Sequence, residues 1–61
     1  MADIMTELSG SQMAVLKQEI AELRERLAEV TDEEVKKMIR REIMNKETNY
    51  NILADRMRLM R

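Results

Sequence analysis

Met13, Leu16, Ile20, Leu23, Leu27 and Val30 recur at alternating intervals of three and four residues. That spacing keeps side chains on one side of an α-helix. Written as heptads, Met13, Ile20 and Leu27 take a positions and Leu16, Leu23 and Val30 take d positions, as in a coiled-coil seam. The run ends at Thr31-Asp32-Glu33-Glu34, which has the form of a helix start. Thr31 is the expected N-cap, its hydroxyl accepting from the Glu34 backbone N–H. The three acidic side chains that follow complement the positive helix end. The pattern predicts a first helix over about 11–30 and a second over about 32–60. With no Gly or Pro between them, one continuous helix is the competing arrangement. The hairpin is favoured because the capping signal coincides with a break in heptad phase.

Upstream, Ile4, Met5 and Leu8 fall out of phase with the later heptads, and Gly10 lies between Ser9 and Ser11. Residues 1–10 therefore read as an N-terminal arm, leaving 11–61 as the hairpin. Ser9 or Ser11 is the expected cap, with the helix starting between 10 and 12. Ala14, Ala21 and Ala28 sit seven apart beside the seam. They suit either close approach of a second helix or simple helix propensity.

The second helix has the seam Ile39, Ile43, Lys46, Tyr50, Leu53, Met57 and Met60, with Met38, Ile52 and Leu59 to one side. Together these cover an arc of about 200°, against the ~100° stripe of an ordinary surface helix. Antiparallel pairing about Thr31 sets Ile39 against Leu23, Ile43 near Ile20 and Lys46 near Leu16. Residues from Ile52 onward then overhang the first helix by about nine residues, roughly 13 Å. The expected hairpin seam is Met13, Leu16, Ile20, Leu23, Leu27, Ile39 and Ile43. The expected interface between copies is Met38, Ile52, Leu53, Met57, Leu59 and Met60. The fold class is all-α: an antiparallel two-helix hairpin that associates into a homo-oligomeric bundle, foremost a dimer of four helices.

Size points the same way. A chain of 61 residues is marginal alone, since a core this small rarely supplies more than ~3–5 kcal/mol. Cys and His are both absent, which excludes disulfides and the usual zinc ligands. Association is the remaining staple. Charge is divided: residues 1–34 carry nine acidic and three basic side chains, a balance of −6. Residues 35–61 carry three and eight, a balance of +5, giving the net −1. Such asymmetry selects orientation more than it stabilises, because an exposed ion pair contributes only about 0–1 kcal/mol. No apolar run is long enough for a bilayer, and the first residues lack the pattern of a secretory signal. A cytoplasmic protein is expected.

Chemistry-bearing constellations are missing. Glu19, Glu22, Glu25 and Glu29 lie mainly off the seam and read as a solvated face. No catalytic site, cofactor or metal is expected. Tyr50, the sole aromatic, is foremost a seam residue whose hydroxyl reaches the rim. Alternatively it stacks on a flat ring while Lys46, Arg40 or Arg41 holds a phosphate, in a pocket closed by two chains. Lys46 occupies a seam position and either specifies register or snorkels outward, with Glu19 as a candidate partner. Lys36, Lys37, Arg40 and Arg41, and separately Arg56, Arg58 and Arg61, form basic clusters. Without stacking aromatics they read as solvated faces ahead of a nucleic-acid site. Seven Met residues suit an adaptable core or a binding surface equally. The functions expected, in order, are a non-catalytic interaction protein that regulates a protein partner, a binder of a nucleotide-like anion, and a nucleic-acid binder.

Overall fold

A computed structural model describes the backbone of residues 4–59, and the side chains of residue 8 and of 10–59. Two helices account for nearly all of it: α1 (Ile4–Glu29) and α2 (Glu33–Leu59). They pack against each other as an antiparallel hairpin 48 Å long.

Helix α1 begins at Ile4 rather than between residues 10 and 12. Gly10 lies inside it, without a positive φ and with open space where a Cβ would project. A glycine in a helix interior costs only about 0.5–1 kcal/mol relative to alanine. Leu8 and Leu16, on either side of Gly10, line one groove together with Leu53 of α2. The earlier start makes the helices nearly equal, 26 and 27 residues. Residues 4–10 of α1 therefore run alongside the stretch of α2 that was expected to overhang from Ile52 onward, although Ile52 and Leu59 stay exposed.

Residues 30–32 make the turn. The Val30 N–H donates to the Arg26 carbonyl at 3.1 Å, finishing α1, and the Lys36 N–H donates to the Asp32 carbonyl at 3.0 Å, starting α2. The Glu34 N–H donates to Asp32 Oδ1 at 2.9 Å. The cap is thus Asp32, not Thr31. A carboxylate caps at least as well as a threonine hydroxyl and places a full charge at the positive end of the helix. No described residue of the turn needs a positive φ, which is why it forms without glycine.

The buried core is Ile20, Leu23, Ile39 and Ile43, with Leu27 and Val30 packed against it. Met13 and Leu16 are half-buried, as are Tyr50, Leu53 and Met57 of α2. Every expected seam residue among the described ones is thus wholly or partly covered, and the core lies in the half nearer the turn. No large described side chain is fully enclosed.

Two ion pairs tie the helices together. Lys46 Nζ donates to Glu19 Oε2 at 2.8 Å, and Arg24 Nη2 donates to Glu47 Oε2 at 3.2 Å. Glu19 is the partner of the seam lysine, whose half-covered stem also carries its charge outward. The hydrogen bond that Lys46 donates to Glu19 raises the Lys46 pKa above the ordinary lysine value. Desolvation opposes this, and the charges of Glu19 and Glu42 add to it.

Candidate interaction surface

Two flanks run along a two-helix hairpin, and here they differ in chemistry. On the first, Leu8, Ser11, Gln12, Val15, Leu16 and Glu19 of α1 meet Asn49, Ile52, Leu53 and Arg56 of α2 around an open groove of about 620 Å³. Glu19 also lines the next depression toward the turn, with Glu22, Arg26, Glu42 and Lys46. The first flank is therefore apolar at the open end and charged at mid-length.

Heptad spacing extends this flank along both helices. In α2, Met38, Asn45, Ile52 and Leu59 are seven apart; in α1, Leu8, Val15, Glu22 and Glu29 are. Among the described residues, the large apolar side chains that are exposed are Leu8, Val15, Val35, Met38, Met44, Ile52 and Leu59, at 38 to 86% exposure. Met44 alone belongs to the other flank, seven residues before Asn51. Val35 lies seven residues before Glu42 and fourteen before Asn49, which places it on the first flank.

Of the residues expected between copies, Met38, Ile52 and Leu59 are exposed. The sharpest exposure is Leu59, at 86%. Leu53 and Met57 are half-buried inside the hairpin instead, since α1 reaches far enough back to flank them. Met60 lies outside the described residues. Leu8, Val15 and Val35 were not singled out from the sequence. Their signal was present, because Leu8 and Val15 repeat at seven, but it is visible only once α1 is continued through Gly10.

The second flank holds Tyr50. It lines an open groove of about 420 Å³ with Lys17, Ile20, Ala21, Arg24, Glu47 and Asn51. The cations beside Tyr50 are thus Lys17 and Arg24 of α1, which sequence spacing within α2 could not reveal. Lys46 turns to the first flank and is engaged by Glu19. Arg40 and Arg41 are exposed and line neither groove. The four residues expected to share a ligand site are not brought together within one chain. Arg24 is itself committed to Glu47. Ala14, Ala21 and Ala28 are exposed, with Ala21 at the edge of this groove, so α2 does not cover them.

Lys37, Arg40 and Arg41 project into solvent and Lys36 is half-buried beside Glu33, at 3.6 Å. Among the described residues no three His, Cys, Asp or Glu side chains gather as a metal-holding group. No described helix is long and apolar enough to cross a membrane. Comparison with protein-family models, with curated proteins and with solved structures finds no match.

Proposed function

We propose that this chain is a non-catalytic interaction protein that self-associates into a helical bundle and, as a bundle, binds or regulates a protein partner in the cytoplasm. One observation carries the reading: among the described residues, six of the seven exposed large apolar side chains lie on a single flank. A two-helix unit hides too little surface to be comfortable alone, and an apolar patch of this extent is a common mark of association. The test is sedimentation equilibrium at micromolar concentration, with helicity followed in parallel. Association that Ile52→Lys abolishes and Met44→Lys leaves intact is the expected result. A monomer that stays fully helical would defeat the proposal.

A second reading rests on the Tyr50 groove. Tyr50, Lys17 and Arg24 offer a ring face and two cations, the elements that hold a nucleotide-like anion. The groove is open, so a second chain or a large ligand has to close it. A thermal-shift screen with nucleotides and cyclic dinucleotides tests this, since a ligand that binds the folded state raises the melting temperature. Stabilisation lost in Tyr50→Ala supports it; a flat response to every ligand removes it.

A further inference from the structure

Resting on the proposed self-association, we infer that the occupant of the first flank is a second copy of this chain, related by a two-fold axis parallel to the helices. In that arrangement the two open ends lie together, and α1 of each copy lies over α2 of the other.

Two kinds of two-fold can set one hairpin flank against its equal. With the axis across the helices, α1 lies antiparallel on the partner's α1. With the axis along them, α1 lies on the partner's α2. The exposed track of α1 separates these at the open end, because it is apolar in its first half and acidic in its second: Leu8, Val15, Glu22, Glu29. The crosswise axis sets Leu8 and Val15 near Glu29 and Glu22 of the partner, which desolvates carboxylates against methyl groups. The lengthwise axis keeps each residue at its own height. Leu8 and Val15 then meet the α2 track of Ile52 and Leu59, which are exposed at that same end. Apolar surface covers apolar surface at the open end, and the charged mid-section around Glu19, Glu22 and Lys46 meets its own kind with both signs available; toward the turn, Met38 and Val35 come level with Glu22 and Glu29 of the partner, so the charge of the two helices makes the choice.

Charge favours the lengthwise axis, which sets α1, whose five acidic and three basic side chains give −2, against α2, whose five and seven give +2; the crosswise axis stacks like on like. The opposing term is the approach of two acidic turns, which Lys36 and Lys37 lie beside. Area agrees as well. A standard interface takes ~800 Å² from each partner, comparable to a footprint as long and wide as this hairpin, 48 by 15 Å. The whole flank is needed, not the groove alone.

The experiment uses a single nitroxide label on Thr31→Cys, a unique site because the chain has no other Cys. Thr31 is exposed and is not the cap. Sedimentation equilibrium gives the oligomer, and pulsed dipolar spectroscopy gives the label separation. A dimer with labels closer than about 30 Å is expected, since the two turns lie within a few helix diameters of each other. Val15→Glu should weaken that dimer at least ~tenfold, and Met44→Glu should leave it unchanged. A dimer whose labels lie near the 48 Å hairpin length overturns the axis while leaving self-association standing. A dimer that resists Val15→Glu and yields to Met44→Glu overturns the flank. A helical monomer overturns both the inference and the reading beneath it.

Discussion

The half of the hairpin next to the turn and the half at its open end are built from similar residues and reach different states. Near the turn, Ile20, Leu23, Ile39 and Ile43 are buried and interdigitate across the two helices. At the open end, Leu16, Leu53 and Met57 are only half-buried, while Leu8, Val15, Ile52 and Leu59 are exposed. The difference is one of placement. Near the turn the core residues keep to the three-four spacing, so one partner helix covers them, while Val35, Met38 and Met44 lie off that spacing and stay exposed. At the open end the apolar residues spread around the helix, and one partner cannot cover them. A hairpin of two helices therefore has a closed core and, farther along, a surplus of apolar surface.

The strongest break in that comparison is Leu23→Ala. Truncating a buried leucine should cost about 2–5 kcal/mol, which in so small a domain amounts to unfolding. Urea denaturation followed by circular dichroism reads it, with Glu25→Ala as the neutral control on the exposed side. Equal effects of the two would show that the buried face is misplaced.

Leu53→Ala sharpens the contrast. A half-buried side chain should lose about half as much, roughly 1–2 kcal/mol. A loss as large as that at Leu23 would mean that Leu53 is covered more completely in solution than in one hairpin, as a bundle would do. The dependence of that loss on protein concentration separates a partner chain from local rearrangement.

At the turn, Asp32→Ala should cost about 0.5–2 kcal/mol and Thr31→Ala a small fraction of that. The reverse order would restore Thr31 as the cap. At the open end, Gly10→Ala should stabilise by about 0.5–1 kcal/mol, because the site is helical with room for a methyl group. Destabilisation there would mean that the chain bends at Gly10 in solution.

The smallest effect belongs to Lys46, between the two halves. Its pKa is raised by Glu19, so its stabilising share is fully present below the ordinary lysine value and is lost as pH climbs through the higher folded one. The melting-temperature gap between the wild type and Lys46→Gln should hold from neutrality to about pH 10 and close above that. A gap that persists at the alkaline limit would show that the ammonium charge is not what Glu19 holds.

Much of this was legible in the residues. The three-four spacing of Met13 to Val30 and of Ile39 to Leu53 is a local property, and it named the helices and their facing sides. The reach of α1 was not legible. Ser9-Gly10-Ser11 carries every local sign of a boundary, yet the helix passes through it, at a glycine cost of only about 0.5–1 kcal/mol. The cap was legible to within one residue, since Thr31 and Asp32 are both good caps and only the hydrogen bond tells them apart. The neighbours of Tyr50 were not legible either, as Lys17 and Arg24 come from the other helix.

Periodicity alone determined that this chain forms two amphipathic helices joined near residue 31, because the period is written one residue at a time. The tertiary structure decided how far α1 extends, which cations flank Tyr50 and on which flank the uncovered apolar side chains collect. Those outcomes depend on the register between two helices, and register is a property of the pair that neither helix carries by itself.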